Sequence, residues 1–296
     1  MMPLFHLLIV VLTFSLMVPR MMAEERVLIL GDSITYGGGW ATRVEARLRS
    51  APTFAEAAIV NLGLPSETVS GLSEPNHADG KFPRPDLHER LARVLTAFKP
   101  TLVLSCYGMN DGIYLPLDAT RQAAFAQGYG KLHQAVLALG ARHIAITPPL
   151  FDADHPPGKA RYDEVLDAQA AWLIEQRTAG WEVIDPRPAL RAAVAATKQA
   201  DPTFIYAQDT IHPGEIGHRL FADALLPDLG RVLALPEPVT PISPAALAIL
   251  RQRHDLLKDA WLTATGHRRP GMTVGVPLPK AEAEAAALLA QYRAKL

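Results

Sequence analysis

Cysteine is nearly absent: Cys106 is the only one in 296 residues. That excludes a disulfide framework and a cysteine-ligated metal cluster. Cys106 ends the apolar run Thr101-Leu102-Val103-Leu104-Ser105 and is expected to be a small buried hydrophobe. Runs of one charge are also absent. With a net charge of −1 and Lys and Arg scattered, nothing favours nucleic acid or an anionic membrane surface as a partner. No P-loop and no dinucleotide-binding glycine fingerprint is present. A Gly-x-Ser-x-Gly nucleophile elbow would need glycine where Thr35 stands, so an α/β-hydrolase fold is not indicated. No internal repeat is visible. What remains is an ordinary globular composition, 49% hydrophobic and 20% charged. The length suits one sizeable domain with an appendage, or two small domains.

The N-terminus differs in kind. Residues Pro3 to Pro19 are almost wholly apolar, and Met21-Met22-Ala23 presents a small residue for cleavage. The run is short for a membrane span, so stable membrane insertion is not expected. Residues 1–23 read as a signal peptide of an exported (periplasmic or secreted) protein, in preference to an uncleaved anchor or a misplaced start. Against this reading, no Lys or Arg precedes the run and Arg20 sits in the cleavage region.

Further on, strand-like runs recur at Val27–Leu30, Ala58–Leu62, Thr101–Ser105, His143–Thr147 and Glu182–Asp185. Helical periodicity fills Trp40–Ser50, Leu87–Phe98, Thr120–Leu139 and Tyr162–Thr178. Alternating strands and helices imply βαβ units and an α/β fold whose parallel sheet is covered on both faces. A helix over Ala189–Lys198 follows, then one opening at Pro213 and running to Leu233. The main domain is thus placed at residues 24–234. Leu235–Pro244 is a proline-rich linker, and residues 245–296 form a helical extension, with helices at Ala245–Thr263 and Lys280–Lys295. Two helices cannot bury enough surface to fold alone, so the extension should dock on the body or on a second subunit.

Candidate chemistry begins at Gly31-Asp32-Ser33-Ile34-Thr35, which follows the first strand. A turn there puts a serine hydroxyl where α/β sheets keep their ligand crevice, ahead of a helix N-terminus. Nucleophilic acyl transfer also needs a base and a group to orient it. Asp209 and His212, three apart in a turn, can supply both, although an Asp-x-x-His pair equally serves as a cap or a metal ligand. Asn61-Leu62-Gly63 ends the second strand and Gly108-Met109-Asn110-Asp111 follows the third. Gly63 can bring its N–H close to a ligand, and the Asn110 amide can donate to an oxyanion. A turn glycine and an Asx turn are the plainer readings of each. All of these groups fall just beyond strand ends that a doubly wound sheet gathers at one edge.

These four segments, in this order and spacing over residues 26–233, resemble the conserved blocks of the SGNH (GDSL-type) hydrolases. The resemblance implies a three-layer α/β/α, flavodoxin-like doubly wound parallel sheet of about five strands in the order 2-1-3-4-5. It makes Ser33 the nucleophile, His212 the base and Asp209 its orienting carboxylate. The N–H groups of Ser33 and Gly63 and the side chain of Asn110 would form the oxyanion hole. It implies a serine esterase with no metal and no cofactor, acting on a small-molecule or polysaccharide ester. Together with the expected export signal, it points to an O-acetyl ester on carbohydrate as the expected substrate. A lipase, lysophospholipase or thioesterase acting on longer acyl chains is the alternative, and a non-catalytic carbohydrate-binding module a third. Oligomeric state is left open.

Other residues carry plainer expectations. Asp152-Ala153-Asp154-His155 reads as a polar loop rimming the crevice rather than a metal site. Asp32 should organise its turn, Asp111 a turn or helix cap, and His218 should be structural or solvated. Tyr36, Trp40, Tyr107, Tyr114 and Phe151 are core residues by default, though any could wall a pocket.

Overall fold

A computed structural model describes residues 24–152, 162–237 and 241–296. The N-terminal apolar run and residues Ala153, Asp154 and His155 lie outside the described residues. The strands are β1 (Arg26–Gly31), β2 (Ala58–Asn61), β3 (Leu102–Cys106), β4 (Arg142–Ile146) and β5 (Glu182–Ile184). They form one parallel sheet in the order β2-β1-β3-β4-β5, as expected. Each expected strand lies within a residue or two of its place.

Successive residues of a strand point to opposite faces, and here both faces are buried. Val27 and Ile29 of β1 join one core with Trp40, Val44, Phe221 and Leu225, while Leu28 and Leu30 join the other with Leu91, Phe125 and Leu132. The helices are α1 (Ser33–Tyr36), α2 (Gly39–Arg49), α3 (Leu87–Phe98), α4 (Ala119–Leu137), α5 (Tyr162–Glu175), α6 (Arg187–Ala200) and α7 (Glu215–Val232). Helix α3 occupies the expected residues, opened by Asp86, whose side chain accepts the His88 N–H. Helix α7 begins later than expected. Gly214 is its N-cap, extended at ψ −178°, and the Gly214 N–H is drawn back to Tyr206 O at 3.0 Å, so Pro213 stays outside the first turn. Cys106 is buried, as expected.

The extension folds onto the body as α8 (Pro244–Thr265) and α9 (Leu278–Arg293). Trp261 of α8 packs edge-on against Phe98 of α3 with ring centroids 5.2 Å apart, and Leu257, Ala260, Ala281 and Ala285 join a sheet core. β2 is an edge strand, and α8 covers it; Arg253 directs a guanidinium N–H at Ile59 O. Among the described residues no helix is long and apolar enough to cross a membrane.

Candidate active site

The turn at the carboxyl end of β1 is tight. A Cβ on Gly31 would meet Thr35 Oγ1 at 2.0 Å and Cys106 O at 2.7 Å, so only glycine fits between β3 and the helix that follows. Asp32 caps α1, its carboxylate accepting the Ile34 N–H at 2.9 Å, and this leaves Ser33 as the first helical residue. Ser33 Oγ lies 2.8 Å from His212 Nε2, across 179 residues of chain. His212 Nδ1 lies 2.6 Å from Asp209 Oδ2.

The second turn is built around Asp209. Its Oδ1 accepts the N–H groups of Ile211 and His212 at 3.0 and 2.8 Å, leaving Oδ2 for the imidazole. Thr210 takes a left-handed φ of +74°, and its carbonyl receives the Asp152 N–H at 2.9 Å. Burial acts against the Asp209 carboxylate, but hydrogen bonds from His212 and Ile211 outweigh it and lower its pKa. Asp209 is therefore anionic at neutral pH and fixes the proton of a neutral His212 on Nδ1, leaving the Nε2 lone pair toward Ser33.

The third strand end brings Asn110 to the same edge. Its Oδ1 accepts from Arg84 Nη1 at 2.9 Å and from the Tyr114 hydroxyl at 3.0 Å, and its Nδ2 donates to Glu67 O at 3.1 Å. With Oδ1 taken by two donors, the amide cannot flip, and one Nδ2 hydrogen remains for a ligand. Ile113 and Tyr114 both adopt left-handed backbone, at φ +47° and +56°, a strained turn that folds Tyr114 back onto Asn110.

Gly63 departs from expectation. Its N–H donates to Asn61 Oδ1 at 2.8 Å, so it is already engaged. Glycine is needed there for close approach instead, since a Cβ would lie 2.4 Å from Tyr36 N. A free N–H is found three residues on. Leu64 N–H bonds Gly31 O at 2.8 Å, carrying the segment alongside the Ser33 turn, and Glu67 N–H closes a turn onto Leu64 O at 3.1 Å. With Pro65 second and Ser66 third at φ +67°, this is the type II pattern. Among the described residues the Ser66 N–H meets no acceptor, and the neighbouring Glu67 carbonyl is the one bound by Asn110. The Leu-Pro-Ser-Glu spelling of a proline turn was the available signal.

Sequence reasoning also missed the buried support of this loop. Glu67 pairs with Arg90 at 2.6 Å and accepts the Tyr107 hydroxyl at 2.7 Å, while Arg90 Nη2 donates to Leu62 O at 2.6 Å. The signal was Arg90 on the apolar stripe Leu87-Leu91-Val94 of α3, where a charge needs a buried partner.

The remaining candidates are structural. Asp111 Oδ1 accepts the Ser70 N–H at 2.8 Å and so pins the loop after β2. Asp152 is buried and accepts the N–H groups of Tyr206 and Ala207, tying the His212 turn to β4 rather than rimming a crevice. His218 packs where a Cβ on Gly39 would lie 2.7 Å from its ring; burial and Arg251 lower its pKa to about 4. Trp40, Tyr107 and Phe151 are core residues, whereas Tyr36 and Tyr114 are partly exposed beside the site.

Asp32 yields a prediction. Burial raises its pKa to about 7, only partly opposed by the Ile34 N–H and His212. A carboxyl with a raised folded-state pKa binds its proton more tightly when folded. Its stabilising contribution is full below the unfolded pKa and is lost as pH rises through about 7. Asp32→Asn, which keeps an oxygen for Ile34, should therefore raise the melting temperature at pH 8, with the gain shrinking toward pH 5. Thermal melts across that range would contradict this if the gain were larger at the acid end.

Comparison with known proteins agrees with this architecture. Residues 29–220, more than half of the chain, match the model of the GDSL-like Lipase/Acylhydrolase family. A search of curated proteins finds no match. Among solved structures, the chain is similar to Axe2, an acetylxylan esterase from Geobacillus stearothermophilus, at a TM-score of 0.51 and 21% identity, covering 70% of this chain and 94% of that one. It is similar to a putative arylesterase from Agrobacterium tumefaciens str. C58 at a TM-score of 0.52 and 19% identity, covering 70% and 99%. It is also similar to BT4096, a gut microbial diltiazem-metabolizing enzyme, at a TM-score of 0.54 and 19% identity. There it covers 70% of this chain but only 47% of the other. At these identities the structures establish the shared fold, and the family match establishes the class. The chain belongs to the GDSL-like lipase/acylhydrolase family and is a carboxylic ester hydrolase.

Proposed function

We propose that this enzyme is a serine esterase that removes O-acetyl groups from carbohydrate through a Ser33–His212–Asp209 triad. The observation that carries the reading is the continuous relay of 2.8 and 2.6 Å from Ser33 Oγ through the imidazole to Asp209. Ser33 Oγ attacks the ester carbonyl carbon while His212 Nε2 takes its proton. The carbonyl oxygen becomes an oxyanion held by the N–H groups of Ser33 and Ser66 and by Asn110 Nδ2. Collapse expels the alcohol, which receives the proton from His212 and leaves an acyl-Ser33. Water, deprotonated by His212, attacks that ester and releases the carboxylic acid and free Ser33.

The substrate assignment is supported more loosely. The neighbouring Geobacillus structure is described as an acetylxylan esterase. The apolar N-terminal run fits export to where acetylated polysaccharide is met. A profile over p-nitrophenyl esters of graded length, beside acetylated xylooligosaccharides, tests it. Acetate is expected to be the preferred acyl group and the oligosaccharides to be deacetylated. A maximum at eight carbons or more would replace this reading with a lipase or thioesterase acting on long acyl chains.

A further inference from the structure

The C-terminal extension reaches the back of the catalytic turn, outside the region matched by the family. His254 of α8 is 2% exposed, and its Nε2 lies 2.7 Å from Asn61 Nδ2. The same Nδ2 donates to Thr35 O at 2.7 Å, while Asn61 Oδ1 accepts the Gly63 N–H. An amide nitrogen has two hydrogens and nothing to accept with, so both its neighbours must be acceptors. His254 is therefore neutral, with its lone pair on Nε2 and its proton on Nδ1, which faces Glu45 Oε2 at 3.5 Å. Burial raises the Glu45 pKa, yet Arg253, His254 and Arg49 outweigh it and hold the carboxyl at about 2, an anion that suits this tautomer. One turn along α8, Lys258 Nζ donates to Tyr36 O at 3.1 Å and sits 4.0 Å from the Tyr36 ring centroid, with Asp255 at 2.7 Å carrying its charge.

We infer that α8 is a positioning element of the active site and His254 its positioning residue. Through Asn61, His254 fastens the Thr35 carbonyl of the nucleophile helix to the loop that carries the Ser66 donor. Lys258 holds the last carbonyl of that same helix. His254 touches no substrate; it sets the distance between nucleophile and oxyanion donors. Reaction geometry is sensitive to such displacements, a shift of about 1 Å lowering rates about a hundredfold. The inference rests on the serine-esterase reading above.

The test uses the intact chain and p-nitrophenyl acetate. His254→Leu removes the acceptor, whereas His254→Gln places Oε1 near the former Nε2. His254→Leu should lower kcat by about ten- to a hundredfold with KM little changed, and His254→Gln should recover most of it. A merely structural histidine would shift the melting temperature while folded protein kept its kcat. The inference is overturned if His254→Leu retains wild-type kcat, or if His254→Gln loses as much as His254→Leu. Should His254→Leu not fold, Lys258→Met decides, a lowered kcat supporting the inference and a wild-type kcat overturning it. A Ser33→Ala control separates the two levels. If it is as active as wild type, the esterase reading itself fails. If it is inactive beside a wild-type-like His254→Leu, only the positioning role fails.

Discussion

Ser33→Ala is expected to lower kcat by about 10⁴–10⁶-fold, and His212→Ala by a similar factor, with the double variant no worse than either single one. In the proposed triad the hydroxyl and imidazole, 2.8 Å apart, act as one unit, so removing either should disable the same proton transfer and covalent step. Residual hydrolysis would come from substrate binding and the oxyanion donors, which these substitutions leave in place. Folding should be nearly untouched. The His212 and Asp209 side chains are 48% and 54% exposed, and a hydrogen-bonded pair so open to water contributes little to stability. Steady-state kinetics together with thermal melts check both halves. An inactive but equally stable Ser33→Ala supports the assignment, and an active one removes it.

Asn110→Ala carries the next largest effect. An oxyanion donor is stronger toward the charged tetrahedral intermediate than toward the neutral ester, so its loss falls on kcat rather than KM. The expected decrease is about 10²–10³-fold, or about 2.7–4 kcal/mol of transition-state stabilisation. Truncation also removes the Oδ1 at which the Arg84 Nη1 and Tyr114 hydroxyl donors meet. Asn110→Asp is the cleaner comparison, because it keeps an oxygen for both and replaces the Nδ2 donor with an acceptor. It should be at least as impaired as Asn110→Ala, with KM close to wild type. If Asn110→Asp retained most of its kcat, the oxyanion would have to rest on backbone N–H groups alone.

Much of this was legible in residue order because the chemistry lies at strand ends, and the strands are short apolar runs bounded by turn residues. Leu87–Phe98 was placed to the residue because Asp86 caps it and its apolar stripe is regular. Ser33, Asp209, His212 and Asn110 were singled out because each sits in a local turn at a strand end, and the structure brings Ser33, His212 and Asp209 within hydrogen-bond distance. Gly63 was misjudged for a physical reason. Its N–H is claimed by the side chain of Asn61, two residues earlier, whereas among the described residues the Ser66 N–H meets no acceptor, a difference visible only in three-dimensional hydrogen bonding. Pro213 fits a first helical turn equally well on paper, but the Gly214 N–H is drawn to Tyr206 instead. The place of α8 was beyond local reading altogether. Its key contact joins Asn61 to His254 across 193 residues, and nothing in the periodicity of a solitary helix states which strand it will cover.

The central claim is that Ser33 becomes covalently acylated under the action of His212, and its most direct measurement is labelling by a fluorophosphonate followed by peptide mass spectrometry. One adduct per chain, located on Ser33 and absent from Ser33→Ala, is the predicted result, with labelling of His212→Ala strongly slowed. An adduct on another residue, or folded enzyme that hydrolyses acetate esters while Ser33 stays unlabelled, would contradict it.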